Sequence, residues 1–153
     1  MALNVLSSIN EIFRREVAVS AALVDPTDAT CLVAGEWVQL NGSGTAIAAP
    51  DPTSTTPPTQ SLLLFQVFSK KGDYSAQALG KVTILNSFDY IAETDQYDTN
   101  GAYAAGTTLG VNAAGQLVPV SSAGDKVYAI ALGAPASGGL LKYQRVSPFV
   151  LHA

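Results

Sequence analysis

The sequence has few of the residues from which most enzyme sites are built. Its 153 residues include one cysteine, Cys31, and one histidine, His152, which is the next-to-last residue. A Ser-His-Asp or Cys-His arrangement needs a histidine held beside the nucleophile, and chain ends usually fray. A zinc site needs four ligands of types that are scarce here, and no Gly-x-Gly-x-x-Gly or Walker pattern is present. We therefore expect no catalytic, metal-binding or cofactor-binding residues, and we expect that the protein is not an enzyme.

Charge is also scarce. Charged residues make up 13% of the chain, against about 25% in an average soluble domain. The net charge is −4, and the basic residues form two adjacent pairs, Arg14-Arg15 and Lys70-Lys71, plus four single residues, so the basic patch of a nucleic-acid-binding protein is absent. No apolar run approaches the roughly 20 residues of a membrane span, and the N-terminus does not resemble a signal peptide. These features predict synthesis in a cytoplasm and a surface suited to packing against another protein.

Four carboxylates lie close together in the sequence, at Asp89, Glu93, Asp95 and Asp98. Calcium takes oxygen ligands from such clusters, but an EF-hand loop also needs a glycine and a glutamate at fixed positions. Those positions are not filled here. We interpret the cluster as a solvated acidic loop, with a calcium site as the less favoured alternative.

Two stretches of the chain share a pattern that predicts a β-hairpin. Residues 105–118 place β-forming side chains on both sides of a turn that runs from Asn112 to Gly115. Asparagine tolerates a left-handed backbone and can hydrogen-bond its own chain, and glycine adopts positive φ without strain. Residues 34–47 align with this stretch without a gap: Ala34, Gly35, Asn41 and Gly44 fall on Ala105, Gly106, Asn112 and Gly115, and Val38, Leu40 and Ile47 fall on Leu109, Val111 and Val118. Two hairpins of one design therefore frame the predicted fold.

The remainder of the chain predicts short strands around these hairpins. Residues 61–68 are a continuous apolar run, typical of a strand buried on both faces. Other predicted strands lie at residues 81–85, 88–94, 126–132 and 140–146, and residues 17–24 predict a strand or an extended lead-in. Asn100-Gly101 predicts a hairpin turn, and the chain ends with the apolar residues 149–151. The Pro- and Thr-rich residues 50–60 predict an exposed loop that joins two hairpin-based halves. Together these features predict a mainly β fold, a small β-barrel or sandwich built from short hairpins.

One helix is predicted, at the N-terminus. Leu6, Ile9, Phe13 and Val17 recur at spacings of three and four residues within residues 3–17. An isolated helix of this length is marginal in water, so it must dock on the body of the protein, on a neighbouring subunit or on a larger surface. The chain is accordingly divided into an N-terminal helix or arm, residues 1–22, and a β-barrel domain, residues 23–153.

The final third of the chain resembles a known family. It contains in order an Ala-Gly start at Ala105-Gly106, a short hairpin, the apolar strand Ala129-Ile130-Ala131-Leu132, an Ala/Gly-rich turn and a last strand. In these features residues 102–147 resemble the capsid decoration, or cement, proteins of tailed bacteriophages.

This resemblance implies a structural virion protein that is located on the capsid surface. Such a protein binds the outside of the expanded shell, bridges neighbouring capsomers and stabilises the head. Its implied partners are the major capsid protein and further copies of itself, in a homotrimer, with no nucleic acid, membrane or cofactor. We expect the contacts to come from the two ends of the chain, although a place in the subunit's own core is nearly as well supported. The candidate contact residues are Leu6, Ile9, Phe13, Phe149, Val150 and Leu151.

Other functions are compatible with the same sequence. A head-fibre or tail-associated structural protein has the same composition. A carbohydrate-binding β-sandwich module would be favoured by an exposed Trp37 together with the tyrosines near residues 95–103, but Trp37 lies in a hairpin arm, where we predict a core role. A glycoside hydrolase with a carboxylate pair is a more distant alternative.

Overall fold

The computed structural model describes residues 2–8, 14–40, 47–48, 64–68, 74–136 and 139–152. Strand makes up 46% of the described residues, and the strands form two antiparallel sheets. The predicted mainly β fold is therefore confirmed. The sheets pack in the manner of a sandwich and do not close on themselves, so the barrel form of the prediction is wrong.

Eleven strands and two short helical segments are described. The strands are β1 Leu3–Ser8, β2 Arg14–Ala18, β3 Trp37–Leu40, β4 Ile47–Ala48, β5 Leu64–Val67, β6 Lys81–Leu85, β7 Tyr90–Thr94, β8 Thr108–Val111, β9 Leu117–Pro119, β10 Lys126–Ala131 and β11 Leu141–Val150. A 3₁₀ turn covers Ala21–Leu23, and helix α1 covers Tyr74–Leu79. The six-stranded sheet has the order β1-β7-β11-β10-β8-β9, and the five-stranded sheet has the order β2-β6-β5-β3-β4.

The helix predicted over residues 3–17 is wrong. Strand β1 pairs antiparallel with β7, and strand β2 pairs antiparallel with β6. The apolar spacing that predicts a helix is divided between two strands, and each forms a hydrogen-bonded ladder with a neighbour that is distant in sequence. Pairing with a sheet neighbour satisfies the backbone N–H and C=O groups of each strand, whereas a short isolated helix is only marginally stable in water. The strand predicted over residues 17–24 is also cut short, because Ala21–Leu23 is a 3₁₀ turn.

Later strand predictions agree more closely with the structure. All four residues of β5 are buried, as the apolar run predicts. The Asn100-Gly101 turn forms, with the Gly101 N–H donating to the Asp98 carbonyl at 3.1 Å, but no hairpin strands flank it, so that hairpin prediction is wrong. The strand predicted over residues 140–146 is longer than expected and continues to Val150 as β11. It accommodates Pro148 because β7 ends at Tyr90, opposite Arg145, which leaves that side of Pro148 without a ladder to interrupt.

The two sheets are built from the same five-strand unit. Strands β2 to β6 form one unit and β7 to β11 form the other, with the same order across the sheet. The register also agrees. Trp37 and Thr108 each lie two residues after the aligned glycines, Gly35 and Gly106. Trp37 pairs with Gln66 in the first unit, and Thr108 pairs with Ile130 in the second. Strand β1 is an addition at the β7 edge. The division lies between β6 and β7, so the prediction that residues 50–60 join the two halves is wrong; those residues lie outside the described ranges.

The predicted repeat is confirmed at its start. Gly35 and Gly106 are both left-handed, with φ of 91° and 89°. The Gly35 N–H donates to the Val67 carbonyl, and the Gly106 N–H donates to the Ala131 carbonyl, at 2.8 Å in each case. Both glycines therefore start a β-hairpin in the same way.

The gapless alignment is wrong at the end of the hairpin. Leu40 pairs with Ile47 in the first copy, and Val111 pairs with Leu117 in the second. Ile47 therefore corresponds to Leu117, and the first turn is one residue longer; its Asn41 and Gly44 lie outside the described residues. In the second turn the Asn112 side-chain Oδ1 accepts from the Ala114 and Gln116 N–H groups at 3.0 Å, as predicted, but the left-handed residue is glycine and not Asn112.

The main core lies between the sheets. Its buried side chains are Trp37, Leu64 and Leu85 from the five-stranded sheet, Tyr90, Ala92, Leu109, Val111, Leu117, Tyr128, Ala129, Ala131, Leu141 and Tyr143 from the six-stranded sheet, and Tyr97. A second cluster contains the alternate residues of the five-stranded sheet, such as Val38, Phe65 and Ile84. Because alternate strand residues point to opposite faces, this sheet is buried on both sides. Each fully buried large side chain contributes about 1.5–3 kcal/mol.

Candidate functional site

Two of the predicted contact residues are at the surface. Leu6 on β1 is 46% exposed, and Phe149 on β11 is 41% exposed. Val150 is half-buried, at the end of β11 opposite Lys126. Ile9 and Phe13 lie outside the described residues.

Leu151 belongs at least in part to the subunit itself. It packs against the buried Val118, Val120 and Val127. Its N–H donates to the Asp125 carbonyl at 2.8 Å, and its own carbonyl accepts from the Gly124 N–H at 2.8 Å. The C-terminal end is therefore fastened to the loop that precedes β10.

The structure does not bring Leu6 and Phe149 into one patch. Leu6 lies beside the β-bulge at the level of Ile91, which pairs with Gln144 on β11. Phe149 is five residues further along β11, or about 17 Å at roughly 3.3 Å per residue. The two exposed side chains are therefore separate candidate contacts.

Strand β1 is the more complete of the two candidate surfaces. It is an edge strand with the sequence Leu-Asn-Val-Leu-Ser-Ser, without charge or proline. Its start is fixed to β7, because the Ala2 N–H donates to Asp95 Oδ1 at 2.9 Å, the Thr94 hydroxyl donates to the Ala2 carbonyl at 2.8 Å, and Asn4 Nδ2 donates to Glu93 Oε1 at 3.0 Å. An ordered edge strand presents backbone N–H and C=O groups to a partner. The surface formed by Leu3–Ser8 is called the β1 edge below.

A buried polar cluster lies between the sheets, and the sequence analysis did not identify it. Gln66 Oε1 accepts from the Tyr90 hydroxyl at 2.8 Å and also from the Tyr143 hydroxyl. Gln66 Nε2 donates to the Gly35 carbonyl at 2.8 Å. Burial raises the pKa of both tyrosines, which keeps their hydroxyls protonated and able to donate. One amide thus joins β5, β7, β11 and the start of the first hairpin.

Arg145 is the charged member of this cluster and is fully buried. Its Nη2 donates to the Leu64 carbonyl at 2.9 Å. Its Cζ lies 4.5 Å from the centroid of the Trp37 ring and 5.0 Å from that of Phe88, and such cation–π contacts stabilise a desolvated guanidinium. Burial lowers the pKa of Arg145, and the neighbouring Tyr90 hydroxyl opposes that shift.

The acidic cluster is used for local structure. Asp95 binds the Ala2 N–H, and Asp98 Oδ1 accepts from both the backbone and the side-chain nitrogen of Asn100 at 2.9 and 3.0 Å. Within the described residues, no three His, Cys, Asp or Glu side chains are grouped so that they could hold a metal ion. The chemistry at Asp98 is therefore that of a turn.

The aromatic residues considered for sugar binding do not form an exposed platform. Trp37 is fully buried, which confirms its predicted core role, and Tyr97 is also buried. Tyr103 packs edge-to-face on Tyr97, with ring centroids 5.3 Å apart, and its hydroxyl donates to the Asp98 carbonyl at 2.7 Å. A sugar ring stacks on exposed aromatic faces, and these faces are directed into the protein.

Glu36 is an unusual carboxyl group at the junction of the two units. Its Oε2 accepts from the Val33 N–H at 3.0 Å, and its Cγ lies close to Gly115 at the tip of the second hairpin. Burial raises the pKa of Glu36 from its ordinary value of 4.5 to about 7, and the Val33 hydrogen bond only partly opposes this shift.

We expect the free energy of unfolding to decrease as pH rises from about 5 to about 8. The folded protein binds the Glu36 proton more tightly than the unfolded chain does. The resulting stability is complete below pH 4.5 and is lost as pH rises through about 7. Urea unfolding across this range measures the change. Glu36→Gln should flatten the profile, whereas Glu16→Gln, which removes an exposed carboxyl on β2, should keep it. An unchanged profile in Glu36→Gln would contradict the assignment.

In the ranges that the structure covers, neither helical segment is long and apolar enough to cross a membrane. Comparison of the chain with protein-family models, with curated proteins and with solved structures gives no match. A functional conclusion must therefore rest on the residues of the chain itself.

Proposed function

We propose that this chain is a structural virion protein that binds the outer surface of a bacteriophage capsid and stabilises the expanded shell by bridging capsomers. In this proposal its partners are the major capsid protein and other copies of the chain in a homotrimer. It carries out no reaction and uses no cofactor. The proposal is supported by the resemblance of residues 102–147 to decoration proteins and by the small charged fraction of the chain.

The observation that carries the proposal is the β1 edge. Natural edge strands are usually protected by charge, proline or a covering loop, whereas the β1 edge has neither charge nor proline and has an exposed leucine at its centre. Backbone pairing at such an edge provides affinity, and a side chain such as Leu6 provides an apolar contact. A capsid-binding protein needs a surface of this kind.

Repetition of a small contact would account for tight binding. A standard interface buries about 800 Å² on each partner, and a single strand edge with one leucine offers less than that. Linking three copies makes the second and third contacts intramolecular, which raises the overall affinity by about 10²–10⁴ without new contacts. Three-fold positions on a shell favour a ligand that is already three-fold.

Among the alternatives, the carbohydrate-binding module has lost its main support. An exposed Trp37 would have favoured it, and Trp37 is fully buried. The bridging proposal does not depend on any exposed aromatic platform.

We expect Leu6→Lys to weaken binding to expanded shells at least about tenfold, because a lysine on an edge strand opposes further strand pairing. The measurement is co-sedimentation with expanded shells of the virus that encodes the chain, and unexpanded shells serve as the comparison. Leu79→Lys is the matched control, since Leu79 on α1 is a 63% exposed leucine away from the β1 edge.

The control variant should bind like the wild type. Equal binding of both variants would overturn the role of the β1 edge, and no binding of the wild type to expanded shells would overturn the proposed function. Light scattering after size exclusion gives the absolute mass of each variant. A wild-type monomer would contradict the homotrimer and the avidity argument.

A further inference from the structure

The guanidinium of Arg145 carries a positive charge that no described carboxylate neutralises. Its hydrogen bonds go to the carbonyl groups of Leu64 and Val146, at 2.9 and 3.4 Å, and it also interacts with the Tyr90 hydroxyl. All of these partners are neutral. A buried charge without a counter-ion destabilises the folded protein, even after the surrounding residues relax.

Two buried N–H donors beside this charge have no hydrogen-bond partner among the described residues. They are Nη1 of Arg145 and Nε1 of Trp37, and both side chains are fully buried. The Arg145 Cζ lies 4.5 Å from the centroid of the Trp37 ring, so both donors belong to the same small region of the interior. Each unsatisfied buried donor destabilises the folded protein, because it has given up its hydrogen bond to water without gaining another. One acceptor placed between them would remove both penalties.

The ring of Phe88 lies next to this region and is itself partly exposed to solvent. Its centroid lies 5.0 Å from the Arg145 Cζ, and it packs at 5.9 Å against Phe65. Phe88 is 37% exposed and belongs to the short connection between β6 and β7.

We propose that Arg145 and Trp37 form an internal binding site for a single monovalent anion of chloride size. The anion accepts from Arg145 Nη1 and Trp37 Nε1, and the ring of Phe88 lies next to the site. A water molecule would satisfy the donors but would leave the positive charge unbalanced, so the observations favour an anion. This inference is independent of capsid binding.

The test is thermal unfolding of the full-length protein in mixtures of sodium chloride and sodium gluconate at constant ionic strength. Gluconate is too large for an enclosed site. Because a ligand that binds only the folded state stabilises it by mass action, the unfolding equilibrium constant should fall about tenfold for each tenfold rise in chloride above its dissociation constant. The ³⁵Cl NMR line should also broaden in the presence of folded protein. The same melting temperature in both salts, without line broadening, would overturn the site and indicate water.

Variants locate the effect. Trp37→Phe keeps an aromatic ring over Arg145 but removes the Nε1 donor, so the chloride dependence should weaken at least about tenfold in apparent affinity. Tyr103→Phe is the control: it removes a hydroxyl that bonds Asp98 and should keep the wild-type chloride dependence. The readout is the dependence on chloride and not the stability itself. A chloride dependence in Trp37→Phe equal to that of the wild type would overturn the assignment of the donors.

Discussion

Replacing Gly115 with alanine is expected to destabilise the protein by about 2–5 kcal/mol, from two separate penalties. Gly115 has a left-handed backbone with φ of 75°, which costs a non-glycine residue about 1–2 kcal/mol. A Cβ atom there would also lie 2.7 Å from both the Trp37 carbonyl oxygen and Glu36 Cγ. The carbonyl belongs to a strand backbone that cannot move freely, so overpacking adds about 1–3 kcal/mol.

Gly106→Ala separates the two penalties. Gly106 lies in the same hairpin with φ of 89°, and no atom lies within 4 Å of its added Cβ. This variant should therefore lose only the backbone term of about 1–2 kcal/mol. Urea unfolding followed by near-UV circular dichroism gives both values. Equal losses would show that the contact between Gly115 and Trp37 relaxes at no cost.

The same contact explains how the second hairpin is fixed to the rest of the fold. The backbone N–H of Trp37 donates to the Gly115 carbonyl at 2.8 Å. The tip of the hairpin in the six-stranded sheet is therefore hydrogen-bonded to the first residue of β3 in the other sheet. This hydrogen bond and the Glu36 side chain connect the two units. Gly115 is thus required for its backbone conformation and also for the close approach of two strands.

The turn of the second hairpin was predictable because its chemistry is local. An asparagine followed three residues later by a glycine dictates a turn within a few residues of chain. The N-terminal segment failed for the opposite reason, because Leu3–Ser8 finds its partner at Thr94 and neighbouring residues of β7. Nothing within residues 3–17 indicates that strand partner, and the spacing of three and four residues fitted a helix equally well.

The full repeat was not visible in the sequence because its equivalent positions carry unlike side chains. Gln66 in the first unit corresponds to Ile130 in the second, and Trp37 corresponds to Thr108. The identical residues include Gly35 and Gly106, which share the same left-handed backbone conformation. Backbone geometry therefore preserved the signal where side-chain packing did not.

Arg145 carried a usable signal that the sequence analysis missed. Arg145, Tyr143 and Leu141 are alternate residues of one strand and therefore face the same side of the sheet, which for Leu141 and Tyr143 is the core. The alternation along the strand thus predicts that Arg145 is buried. Its acceptor, the Leu64 carbonyl, is 81 residues away. Parity along a strand thus predicts burial, whereas the partners of the buried charge depend on how the two sheets meet. The rule does not extend to the end of β11, because Phe149 has the same parity as Arg145 and is exposed. The two exposed contact residues, Leu6 and Phe149, lie on separate surfaces.

The second large expected effect is at Gln66. Replacing Gln66 with leucine keeps the side-chain volume nearly constant but removes the acceptor of the Tyr90 and Tyr143 hydroxyls and the donor to the Gly35 carbonyl. Three buried polar groups then lose a partner, at about 1–3 kcal/mol each, so we expect a loss of about 3–9 kcal/mol in the free energy of unfolding. Gln39→Leu, a change of a half-buried glutamine on the neighbouring strand β3, should stay within about 1 kcal/mol of the wild type.

Rescue by two further substitutions distinguishes lost hydrogen bonds from altered packing. Adding Tyr90→Phe and Tyr143→Phe to Gln66→Leu removes the two hydroxyls that have lost their acceptor. The Gly35 carbonyl then remains without its donor, and Arg145 loses its contact with the Tyr90 hydroxyl. Replacing both partners of a buried hydrogen bond by apolar groups is nearly neutral, so the triple variant should be more stable than Gln66→Leu, although these two losses of about 1–3 kcal/mol each remain. Urea unfolding of the wild type, of Gln66→Leu and of the triple variant measures this recovery of stability. If the triple variant were less stable than Gln66→Leu alone, the amide would be acting through shape rather than through hydrogen bonds. The polar cluster would then be incidental to the joining of the two sheets.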